Sequence, residues 1–105
     1  MSFQRANETE RRIANKLVKA ILAEGYVISV FDCEEFNSHD LDSLKAVQDH
    51  LATTDDDRVY FRKPGEEQYA GWVWLIWGNR EDLISDYTAN DVTDAIVDPI
   101  YAEIG

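Results

Sequence analysis

Gly71-Trp72-Val73-Trp74-Leu75-Ile76-Trp77-Gly78 decides how this chain folds. Six bulky apolar residues lie between two glycines, and they include every tryptophan in the sequence. A run this short and this rich in aromatic residues predicts a strand, since a helix needs about ten residues or more. Side chains alternate along a strand, so Trp72, Trp74 and Ile76 point one way and Val73, Leu75 and Trp77 the other. Both sides are apolar. Either something covers each face of the sheet, or one face is left open for a partner.

Working outward, Arg58–Arg62 alternates cleanly, with Val59 and Phe61 on one side and Arg58, Tyr60 and Arg62 on the other. Lys63-Pro64-Gly65-Glu66 is turn chemistry, so Arg58–Arg62 and Gly71–Trp77 are expected to form an antiparallel hairpin. Gly78-Asn79 ends it, and Leu83–Tyr87 reads as one more short strand. Upstream, Tyr26–Phe31 is β-branched and aromatic and follows Gly25 directly, which predicts a strand. Asp32-Cys33-Glu34-Glu35 reads as a turn, with Phe36 opening a short returning strand.

Three helices complete the reading. Asn7-Glu8-Thr9-Glu10 is a capping-box pattern, and Ile13, Leu17, Ala20 and Ile21 recur at helical spacing, predicting a helix over 8–24. Leu41, Leu44, Val47 and Leu51 predict a second over 40–53, capped by Asp40 or Asp42, with Thr54–Asp57 as a solvated connector. Thr88–Asp91 offers caps for a third, whose buried stripe is expected at Val92, Ala95, Ile96 and Pro99/Ile100, with Pro99 kinking or restarting it. The expected architecture is one α+β domain over residues 1–105. It has a small antiparallel sheet of three to five strands and about three helices packed mainly on one face. Helices on one face leave the other open, and that face is expected to carry some of Tyr26, Tyr60, Trp72 and Trp74. The competing reading is that the stems of Arg58 and Arg62 and the 66–70 loop cover it.

Charge and composition exclude several function classes. The chain carries −11 overall, while its first 19 residues hold five cations against two acids. The balance of −14 falls on the rest, and from Glu81 onward there are acids only. Such a field repels nucleic acid and attracts basic partners. No stretch approaches a membrane span, the N-terminal residues lack the apolar core of a leader, and a cytoplasmic protein is expected.

Candidate chemistry is sparse. The acid clusters Asp40-x-Asp42 and Asp55–Asp57 lack the central glycine of a calcium loop. Cys33, His39 and His50 offer at most three zinc ligands at no recognised spacing. Cys33 as a nucleophile is opposed by Asp32, Glu34 and Glu35, which disfavour its thiolate. With no phosphate loop and no serine elbow, neither a cofactor, a metal nor a catalytic residue is assigned.

Three stretches, Val27–Glu35, Gly71–Asn79 and Leu83–Asp91, resemble a group of small uncharacterised acidic proteins of proteobacterial phages and prophages. Their shared motifs are Ile-Ser-Val-x-Asp-x-Glu-Glu and Asp-Tyr-Thr-x-Asn; here Cys33 stands where the relatives carry glycine. The resemblance implies an accessory protein in a bacterial host cytoplasm and brings no catalytic residue with it. The expected function is therefore non-enzymatic protein–protein contact, as a homodimer or with a host or phage protein, through Tyr60, Trp72, Trp74, Glu34, Glu35 and Phe36. The rivals are an acidic mimic of nucleic acid that inhibits a host DNA- or RNA-binding protein, and a small metal-dependent enzyme using acids near Asp32–Glu35 and Asp82–Asp86.

Overall fold

The computed structural model describes residues 3–32 and 36–104, the side chains of residues 37–39 and 104 excepted. In chain order the elements are α1 (Glu8–Ala23), β1 (Val27–Phe31), β2 (Phe36–Leu41), α2 (Leu44–Gln48), β3 (Asp56–Arg62), β4 (Gly71–Ile76), β5 (Ile84–Tyr87) and α3 (Asp91–Ile104). The strands form one sheet in the order β2-β1-β3-β4-β5, and every neighbouring pair is antiparallel. The fold is α+β.

Strand alternation divides the sheet into two unlike faces. Ile28, Val30, Val59, Phe61, Val73 and Leu75 are fully buried. They pack in one core with Ile13, Leu17 and Ile21 of α1, Val47 of α2, and Ile96, Val97 and Ile100 of α3. Burying each such side chain contributes about 1.5–3 kcal/mol, which is what fixes the strand register.

Polar groups seat the helices. Asn7 Oδ1 accepts from the Thr9 N–H at 2.8 Å and Glu10 Oε1 from the Asn7 N–H at 3.3 Å, completing the capping box. Glu10 is buried, and its other oxygen accepts from the Gly78 N–H at 2.6 Å and the Arg80 N–H at 3.3 Å. One carboxylate thus starts α1 and anchors the β4–β5 connection. At the far end of β4, a Cβ on Gly71 would lie 2.2 Å from Thr93 Oγ1 and 2.8 Å from Phe61 Cζ. Only glycine lets the first turn of α3 sit this close to the sheet.

The Asp86–Asn90 motif has a structural explanation. Thr88 extends the ladder by exchanging hydrogen bonds with the Trp72 backbone, at 2.6 Å to its hydroxyl and 3.0 Å from its N–H. Asn90 Oδ1 accepts from the Thr93 N–H at 2.8 Å, and its Nδ2 donates to the Ala70 carbonyl at 2.9 Å. It caps α3 and pins that helix to the β3–β4 connection.

Several expectations need correction. The helix expected over 40–53 is only Leu44–Gln48, capped by Ser43 through the Ala46 N–H rather than by Asp40 or Asp42. Residues 36–41 are instead drawn into pairing with β1, whose edge would otherwise be bare, and Leu41 lies opposite Ile28. The connector at 54–57 is also shorter than expected, because β3 begins at Asp56 and Asp57 is fully buried. In α3 the buried stripe is Thr93, Ile96, Val97 and Ile100, while Val92, Ala95 and Pro99 are exposed. The close approach at Gly71 rotates the helix to that stripe. The helix also continues through Pro99, which lies on its solvent side where a freed carbonyl can meet water.

Candidate functional site: the uncovered face of the sheet

Among the described residues all three α-helices pack on the face that carries Val59 and Val73, and none covers the opposite face. Alternation and register assign to it Phe31 of β1, Phe36 of β2, Asp56, Arg58, Tyr60 and Arg62 of β3, Trp72 and Trp74 of β4, and Asp86 of β5. The cross-strand pairs Tyr60–Trp72 and Arg58–Trp74 place rings and cations side by side.

Two aromatic groups result. In the first, the Arg58 guanidinium carbon lies 5.2 Å from the Trp72 ring centre and 5.1 Å from that of Trp74. Both indoles are half-buried. The Trp74 indole N–H donates to Asp56 Oδ2 at 3.0 Å. Arg58 Nε is buried and meets no acceptor among the described residues.

The second group is Phe31, Phe36, Tyr60 and Tyr69. Ring centres are 5.0 Å apart for Phe31–Phe36, 5.3 Å for Phe36–Tyr60 and 5.0 Å for Tyr60–Tyr69. Phe36 and Tyr69 lie nearly parallel, at 13° and 6.1 Å. Tyr69 comes from the β3–β4 connection, which folds back over the sheet as the competing reading required. Even so, Phe36 and Tyr69 each remain 36% exposed. Beneath the group Ser29, opposite Tyr60, is buried. At its margin Arg62 Nη2 pairs with Asp40 Oδ1 at 2.6 Å.

The expected contact residues divide accordingly. Tyr60, Trp72, Trp74 and Phe36 come together on one face. Glu34 and Glu35, with the whole Cys33–Glu35 part of the expected turn, lie outside the described residues. Tyr26 belongs to the other face: its ring packs edge-on to buried Phe61 at 5.1 Å, with the Lys63 ammonium 4.3 Å above it. Sequence reasoning did not name Phe31 or Tyr69. Phe31 was accessible from alternation, since register sets it opposite Arg58. Tyr69 carried no periodic signal, because it sits in a loop.

The acid run has an electrostatic role that composition hid. Asp56 and Asp57 point to opposite faces, and each accepts an indole N–H: Asp56 from Trp74, and Asp57 Oδ2 from Trp77 at 2.9 Å. Asp57 Oδ2 also accepts from the Ala52 N–H at 2.8 Å, holding a buried alanine at φ 59°. Burial raises the Asp57 carboxyl from 3.8 to about 6, the neighbouring charges of Asp32 and Asp56 adding to the rise against the two N–H bonds.

Among the described residues no three His, Cys, Asp or Glu side chains gather as metal ligands. Asp32 follows β1 and Asp86 lies on β5, with β3 and β4 between, so about three strand spacings, or 14 Å, separate their strands. No helix among the described residues is long and apolar enough to cross a membrane. In the comparisons with known proteins, no family model, no curated protein and no solved structure matches this chain.

Proposed function

We propose that the protein is a non-enzymatic interaction module, and that the aromatic face of its sheet is the surface through which it contacts another protein. The observation that carries this reading is a sheet face without helical cover where six aromatic rings gather, five from strands and Tyr69 from the loop that folds over them. Of these, Phe36 and Tyr69 expose more than a third of their surface. A monomeric domain with nothing to bind gains no stability from exposed rings, whereas interfaces are enriched in Tyr, Trp, Phe and Arg. In this reading the chain is an accessory protein of a phage or prophage acting inside a bacterial cell, in line with its sequence resemblance.

Capture from bacterial lysate tests the reading when three baits are compared: wild type, F36S/Y69S on the sheet face, and V92S/Y101S on the helix side. Val92 and Tyr101 are each 39% exposed, so the second pair controls for general surface hydrophobicity. Proteins retained by wild type and V92S/Y101S but lost by F36S/Y69S support a docking face. Equal capture by all three, or none by any, overturns it.

A further inference from the structure

We propose that the occupant of the aromatic face is a basic, arginine- or lysine-bearing segment of the partner, with its cationic groups resting on Phe36, Tyr60 and Tyr69. This inference rests on the docking reading above and adds the chemistry of the partner. The fold already uses its rings to hold cations. Arg58 lies over both Trp72 and Trp74, and Lys63 over Tyr26, at 4.3–5.2 Å. These are distances at which the negative ring face attracts positive charge. The Phe36–Tyr60–Tyr69 group presents the same ring chemistry at the surface.

Charge selects among occupants. Asp40, Asp56 and Asp86 lie on or beside the face, and Glu66 and Glu67 are exposed on the connection that carries Tyr69. Among the described residues the face carries two cations: Arg62 is paired with Asp40, and Arg58 lies over the two indoles. A second copy would bring another −11 to a face where, among the described residues, the acids already outnumber the two arginines. Five strands of four to seven residues also make a face only about 24 Å by 20 Å, small beside the roughly 800 Å² per partner of a stable interface. Phosphates are repelled by the same field. A cationic segment meets both the rings and the acids.

The test is fluorescence anisotropy with a labelled short arginine-rich peptide, beside a glutamate-substituted version of it and a labelled single-stranded oligonucleotide. The arginine peptide is expected to bind wild type and V92S/Y101S, to weaken as salt rises, and to lose about tenfold or more in affinity with F36S/Y69S. Charge reversal at E66K/E67K is expected to weaken it as well; both positions are exposed, and a thermal melt checks that each variant is folded. Equal peptide binding by wild type and F36S/Y69S means attraction to net charge alone and overturns the inference. So does preference for the oligonucleotide, or a face-dependent homodimer in light scattering across a concentration series. Loss of peptide binding with face-dependent lysate capture intact overturns the basic partner and leaves the docking face standing.

Discussion

Replacing Asp57 by asparagine is expected to remove a pH dependence from the stability of this chain. Asp57 is fully buried, and its carboxyl is raised from 3.8 to about 6. A carboxyl raised on folding binds its proton more tightly in the native state. Its contribution is fully present below about pH 4 and is lost as pH climbs through about 6. That rise corresponds to roughly 3 kcal/mol once the pH is well above 6. D57N keeps an acceptor for Trp77 and Ala52 but does not ionise. Its new amide N–H would fall where Oδ1 now meets no partner among the described residues, a pH-independent cost of about 1–3 kcal/mol. The change with pH is therefore the readout, not the absolute difference. Urea unfolding of both proteins, followed by tryptophan fluorescence from about pH 4 to pH 7, cancels the titration of the other acids. The variant should gain about 2–2.5 kcal/mol on wild type over that range. A difference that stays level would mean that Asp57 ionises in the folded protein as it does in water, and the account of its burial would be wrong.

Two further outcomes follow from the seating of α3. Gly71→Ala should destabilise by about 1–3 kcal/mol through its contacts with Thr93 and Phe61, and adding Thr93→Ala should recover part of the loss, measured by thermal or urea melts as a non-additive cycle. Asn90→Ala removes the cap of α3 and its tie to Ala70, with an expected loss of about 1–2 kcal/mol, larger than for a cap alone at the surface.

What the sequence disclosed is what periodicity reports directly. The 71–76 strand, its β3 partner, the 8–23 helix and its capping box all follow from alternation, helical spacing and local capping, which need no knowledge of distant neighbours. The division of Trp72 and Trp74 from Val73 and Leu75 was legible for the same reason, and with it most of the aromatic face. The failures are tertiary. Leu41, Leu44 and Val47 fit a helical spacing, but the edge of β1 needed a partner more than the segment needed another turn of helix. The triple aspartate read as solvated because sequence gives no sign of an indole N–H waiting inside. Tyr69 belongs to a loop, and only the way that loop folds back brings it to Tyr60.

The contact between Glu10 and Gly78 spans 68 positions, and this has a bearing on how the chain matures. While the protein is being synthesised, the carboxylate that opens the first helix lacks its bonds to Gly78 and Arg80 until the β4–β5 connection has been made. Until then that carboxylate keeps its hydration, and the amphipathic segment behind it can rest only on the elements made earlier, β1, α2 and β3. The final seating of α1 is thus postponed, and a nascent fragment cut short before the β4–β5 connection would lack the bonds that bring its first carboxylate indoors.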